Sequence, residues 1–210
     1  MGDYIYLIAL VVIAGTVIAV GVMMRASHKK EKEGQFQSAL RARKLAAKRA
    51  ELSKSMKIIP WTDKLIIDEG VIDKDHKLLF ELINKFNENV PRFETVEQMF
   101  PLLRSLIKYT QTHFQREEKL QQISEYPYLE DHKKEHRALV EKFSGLIEKA
   151  KQAKEDDFID VAAEMGSFFL EWLIQHVMVN DLQLKPYVER MREQAETMSD
   201  LDNNSEQPSP

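Results

Sequence analysis

The chain has 210 residues, 43% of them hydrophobic and 30% charged, with 7 glycines, 7 prolines and no cysteine. That length suits one ordinary domain plus accessory segments, and so few glycines and prolines argue against a low-complexity or β-rich chain, which leaves a helical globule as the expectation. The absence of cysteine excludes disulfides, thiolate metal sites and cysteine nucleophiles, so any metal must be held by histidine and carboxylate. The formal charge of −4 is unevenly spread: residues 25–57 carry 11 Lys+Arg against 3 acidic residues, a net +8, whereas 58–210 carry a net −11. A body this acidic repels phosphate, so nucleic acid is not expected as a partner.

Between Asp3 and Arg25 lie 21 uncharged residues. As a helix rising 1.5 Å per residue they match the roughly 30 Å hydrocarbon core of a bilayer, so residues 4–24 are expected to form one transmembrane helix. A cleaved signal peptide fits less well, because Asp3 replaces a basic leading region and the apolar run exceeds the usual ~7–15 residues. Arg25, Lys29, Lys30 and Lys32 follow at once. Short basic flanks stay inside, which predicts a single-pass protein of the cell inner or plasma membrane with a cytoplasmic C-terminal domain and the lipid bilayer as a partner. Residues 25–56 form a basic helical stalk, either a solvated spacer or a helix held on anionic lipid. His28 within it is expected to be solvated.

Residues 57–192 contain four segments of helical period separated by turn signals. The first helix runs from about Val71 to Asn89, with Leu79, Phe80, Ile83 and Phe86 on one face, and stops before Pro91. Thr95 with Gln98 has the form of a capping box for the second, which carries Leu102, Leu103, Leu106 and Tyr109. Pro127 suits the first turn of the third, whose inner side is Leu129, Leu139, Phe143 and Leu146. The fourth begins near Asp156 and Asp157 and continues past Trp172. Loops this short favour antiparallel neighbours, hence an all-α, up-down-up-down four-helix bundle. The last segment, 193–210, has little to bury and is expected to be a disordered tail.

Five of the six histidines fall on these helices: His76 on the first, His113 on the second with Glu117 four residues on, His132 and His136 on the third, and His176 on the fourth with Asp181 five residues on. Positions i and i+4 share a helix face, so each such pair can aim two ligands at one point. One pair alone arises readily by chance on a charged helix. Here, however, His76, His113 and His136 continue the apolar faces inward, and a buried histidine or carboxylate costs several kcal/mol unless it is paired or metal-bound. Seven such groups in one small core need a common partner.

Trp61 with IDKDHKLLF, HFQREE, YP followed by HKKEH, and WLIQH with Asp181 together resemble the hemerythrin and bacteriohemerythrin family over about residues 58–190. The resemblance implies two irons in a non-haem di-iron centre, bridged by Glu117, Asp181 and a solvent-derived oxygen. His132, His136 and His176 would hold one iron and His76 and His113 the other, which keeps an open position for dioxygen. Trp172, Leu173 and Val177 match residues that line the family's oxygen pocket. Two positions depart from the pattern: Leu120-Gln121 stands where relatives often have Leu-Met, and Leu184 where an aromatic is common. The spacing from His176 to Asp181 is also irregular, since five residues turn a regular helix through about 500° and leave the two about 140° apart. Either the metals sit to one side of the helix or the backbone unwinds locally in a π-type turn between Val177 and Asp181; the second is the expectation adopted.

Neutral imidazoles leave such a metal pair with residual positive charge, which favours a site that binds and returns oxygen over one that oxygenates substrates. The function expected is therefore reversible dioxygen binding for storage, delivery or sensing at the cytoplasmic face of a membrane. The alternative is an oxidoreductase acting on peroxide or nitric oxide with an external electron donor. A third class is an interaction protein whose stalk contacts follow the iron or oxygen state, with a membrane or redox protein as partner.

Overall fold

The computed structural model describes residues 2–154 and 157–205, without the side chains of 2–14, Val17 and 202–205. It divides into two units, residues 1–48 and 49–210. The first is helical throughout its described length and belongs to a long helix α1 (Gly2–Ser55). Among the described residues no helix is long and apolar enough to cross a membrane. Most of the expected transmembrane span, 4–24, lies outside the described side chains. From Arg25 to Leu40 the helix is exposed on every side, as a stalk with no apolar stripe must be.

The second unit holds α2 (Val71–Asn89), α3 (Phe100–Ile123), α4 (Leu129–Gln152) and α5 (Phe158–Trp172). The line of α5 continues through a π-helical stretch (Leu173–Asn180) and a 3-10 turn (Asp181–Leu184) into α6 (Lys185–Ser205). Every described element is helical. Helix α2 packs on α3 and α5, and α4 on α3 and α5, which closes the ring of a four-helix bundle. Leu79, Phe80, Ile83 and Phe86 of α2 are buried along one stripe. At the end away from the histidines the core is aromatic, with Phe169 edge-on to both Phe86 (5.1 Å) and Phe143 (5.0 Å).

Helix starts differ from the sequence expectation. Thr95 makes no side-chain cap; Gln98 instead accepts the Glu94 N–H at 2.8 Å, and a 3-10 turn precedes α3, whose first turn holds Pro101. Pro127 lies two residues ahead of α4 instead of inside it, and Leu129 and Leu139 are only half-buried. Helix α6 extends to Ser205, so 193–205 is helical where a disordered tail is expected, and 206–210 lie outside the described residues.

Candidate metal centre

The loop before α2 fixes the first ligand helix. The Asp68 carboxylate accepts the backbone N–H groups of Gly70 (2.9 Å), Ile72 (3.1 Å) and Asp73 (3.1 Å), while Asp73 accepts those of Ile67 (2.8 Å) and Asp68 (3.2 Å). This reciprocal arrangement satisfies donors that a helix start leaves free and holds Asp68 below its ordinary carboxylate pKa despite burial. Arg192 of α6 donates to the Asp68 carbonyl, tying the same loop to the last helix. His76 follows one turn inside α2.

All seven expected ligands are buried, none more than 4% exposed, and the four helices bring them to one level of the bundle. They form two groups: Glu117, His132, His136 and His176, and His76, His113 and Asp181, with the ligand atoms of each group within 4.8 Å of one another. Glu117 Oε2 faces His113 Nε2 at 3.7 Å, His132 Nε2 at 3.3 Å and His136 Nε2 at 3.2 Å. Asp181 reaches His76 Nε2 with Oδ2 at 3.2 Å, and His132 and His176 with Oδ1 at 3.3 and 3.6 Å. Each carboxylate therefore stands between the two histidine groups, as a bridge would.

The π-helical stretch places Asp181. Its backbone N–H donates to the His176 carbonyl, five residues back, which closes a wider turn and draws positions i and i+5 toward one face. The expected distortion thus extends over Leu173–Asn180, a longer segment than the sequence reading marked.

Three carboxylates stand behind the imidazoles, one of them within hydrogen-bond distance. Glu118 Oε1 lies 2.7 Å from His136 Nδ1. Glu135 Oε2 lies 3.8 Å from His176 Nδ1 and is fixed by the Asn180 amide at 2.8 Å. Asp75 Oδ2 sits 4.0 Å from His113 Nδ1 and pairs with Arg116 at 2.9 Å. Such partners orient a ligating imidazole and raise its basicity. Each of the three immediately precedes or follows a ligand in sequence, the one signal that could have found them. Phe114 stacks on His136 with centroids 3.6 Å apart.

Protonation follows from this crowding. Burial opposes a charge on His132, but the polar contacts that its N–H makes to the Asp181 and Glu117 carboxylates, and the charges of both, outweigh it and hold the imidazole up at about 10. Burial, reinforced by the charge of His76, pushes His113 down to about 3. Burial would raise Glu117, yet its histidine hydrogen bonds keep it ionised.

The expected oxygen-pocket residues Trp172, Leu173 and Val177 are all buried. A cavity of about 270 Å³ between α4 and α5 is lined by Trp172 and His176 together with Leu139, Phe168 and Glu135; Leu173 and Val177 do not reach it.

Whether a metal fits can be asked of unpartnered atoms. Both ring nitrogens of His76 and His113, Glu117 Oε1 and both Asp181 oxygens are buried without a well-formed hydrogen bond. Buried polar atoms left so cost about 1–3 kcal/mol each, and a cation at each focus would supply a partner to one nitrogen of each imidazole and to the carboxylate oxygens. Imidazole with carboxylate and no thiolate suits first-row divalent ions such as iron.

These features define a metal-binding four-helix bundle. The Hemerythrin HHE cation binding domain model matches residues 69–188, and the chain belongs to the hemerythrin family. It is 30% identical to a bacteriohemerythrin of Pseudomonas aeruginosa over 141 residues, 67% of this chain and 84% of that protein. It is 27% identical to one of Clostridium acetobutylicum over 124 residues (58% and 94%), and 25% to one of Stenotrophomonas maltophilia over 126 (60% and 78%). The cofactor is a non-haem di-iron centre.

Proposed function

We propose that this protein binds dioxygen reversibly, for storage, delivery or sensing, at the cytoplasmic face of a membrane to which residues 4–24 anchor it. In this reading His132, His136 and His176 hold one iron, His76 and His113 the other, and Glu117 and Asp181 bridge them. Two ferrous ions, when bound, would supply the electrons for reversible capture of dioxygen. The observation that carries the reading is the composition of the buried set, five imidazoles with only two carboxylates standing between the two groups. Site charge is thereby left positive and high oxidation states are poorly supported.

The chain's own groups do the rest. Glu118, hydrogen-bonded to His136 Nδ1, keeps that imidazole aimed inward, and the charges of Glu135 and Asp75 lie behind His176 and His113. Trp172, Leu173 and Val177 are buried apolar neighbours of His176 in the chain, and an apolar wall there would slow proton delivery and hence loss of oxygen as peroxide. The 21 uncharged residues before Arg25 and the basic flank behind them support the anchor and its orientation.

Anaerobic iron titration of the full chain, followed by optical spectra as oxygen is admitted and removed, tests the function. The expected result is saturation at two irons and a visible band that appears and disappears with oxygen. Saturation at one ion, or a band that never reverses, contradicts it.

A further inference from the structure

Asn87, in the last turn of α2, is wholly buried, yet neither its Oδ1 nor its Nδ2 has a hydrogen-bond partner. A core carboxamide left unpaired destabilises the fold. The chain nevertheless makes room for it: a Cβ at Gly166 of α5 would meet Asn87 Oδ1 at 2.4 Å, so any larger residue there would push the amide aside. Glycine inside a helix is itself unfavourable relative to alanine. Two unfavourable choices are therefore kept for one polar group, about three turns along α2 from His76 and outside the metal centre.

Asn87 lines a cavity of about 160 Å³ between the end of α2 and the last turns of α1, with Ser53, Met56, Glu88 and Arg92 among its walls. The surrounding chain is fixed at two points. Arg49 donates to the Pro91 carbonyl at 3.1 Å, and the Asn84 carboxamide accepts the Ile59 N–H at 3.0 Å and donates to the Ile59 carbonyl at 2.8 Å. A site held in shape beforehand loses less freedom when it is filled.

Glu88 and Arg92 stand four apart in sequence, but among the described residues neither forms an ion pair, with the other or with any third group. The cavity thus presents a carboxylate, a guanidinium and a buried amide that can both donate and accept. Such a set matches a small molecule that carries both charges itself. The volume has room for about five groups the size of a water, and glycine has five non-hydrogen atoms and alanine six.

We propose that this cavity binds a small zwitterionic α-amino acid of the size of glycine or alanine, with Arg92 on its carboxylate, Glu88 on its ammonium group and the Asn87 amide hydrogen-bonded to it. The occupant touches α1 and α2 together, so it fastens residues 49–55 to the bundle. The site stands independently of the di-iron reading.

Isothermal titration of the full-length protein with glycine and with L-alanine tests this, acetate and methylammonium serving as the two single-charge halves. Both amino acids should bind, each at least about tenfold more tightly than either half, and hydrogen–deuterium exchange should slow over 52–58 and 86–92 on binding. Arg92 and Glu88 are exposed, so Arg92→Gln and Glu88→Gln keep the fold, and each should weaken glycine binding by at least about tenfold. Gly166→Ala, which displaces the amide, should abolish it. No binding of either amino acid at millimolar concentration would overturn the proposal and leave the cavity to water. So would halves that bind as well as the amino acids, exchange protection confined to other parts of the chain, or undiminished binding in the Arg92 and Glu88 variants.

Discussion

Replacing Asp181 by alanine should disable the centre more thoroughly than the loss of any single histidine. Asp181 is completely buried and faces His76, His132 and His176 at 3.2, 3.3 and 3.6 Å, so no other carboxylate can move in to substitute. Without metal, removing one partner of a buried ionic cluster costs about 3–5 kcal/mol, and the lower end applies here because His132 can shed its proton once the carboxylate is gone. With metal the loss is larger. On the proposed bridging, each ion would lose an oxygen ligand and the pair would lose one unit of neutralising charge, and the stabilisation that bound ligand confers, about 2.7 kcal/mol at a hundred times Kd, would disappear with them. The assay is urea unfolding of Asp181→Ala and the parent, each iron-free and iron-loaded, alongside iron analysis. The iron-dependent gap in stability should collapse in the variant and its iron content should fall below two per chain. Two irons and normal reversible oxygenation in Asp181→Ala would refute Asp181 as a bridge.

Three further outcomes follow from the same geometry. Glu118→Gln removes the carboxylate 2.7 Å from His136 Nδ1 and should weaken iron binding about 10–100-fold in chelator competition, with the fold intact; unchanged affinity would make that contact incidental. His132 is raised from 6.5 to about 10, so its contribution to the iron-free protein is fully present below pH 6.5 and is lost as pH rises toward 10. Urea midpoints of the iron-free protein should therefore fall over that range, and iron uptake near pH 8 should release protons to an indicator dye; neither change would be seen if His132 were neutral. The stalk, at +8 over 25–57, should hold the protein on anionic vesicles by about 1 kcal/mol per basic residue near the surface, and flotation on anionic and neutral vesicles should differ and depend on salt.

The convergence of these seven side chains was legible in the sequence because helical spacing and chemistry there coincide. His113 with Glu117, and His132 with His136, each occupy one helix face, and His76, His113 and His136 extend apolar stripes that must turn inward. For the irregular step from His176 to Asp181 the spacing left two geometries open, metals to one side of the helix or an unwound backbone, and the π-helical stretch is the one found. What escaped is what sequence treats as ordinary charge. The spacing that marks the histidines says nothing of Asp75, Glu118 and Glu135, and only the fold sets them near imidazole nitrogens. The reciprocal Asp68–Asp73 cap was hidden for a similar reason, because its hydrogen bonds join a loop to a helix start. Thr95 and Pro127 misled in the other direction: local signals marked helix starts that lie a few residues downstream, where packing on neighbouring helices decides.

The most direct test of the account is the stoichiometry of oxygen uptake. Fully reduced, iron-loaded protein in a sealed cell should take up one dioxygen for each pair of irons, return it when the cell is flushed with argon, and leave no peroxide behind. No uptake, or uptake that ends in peroxide and is never returned, would contradict reversible binding at a centre built from five imidazoles and two carboxylates.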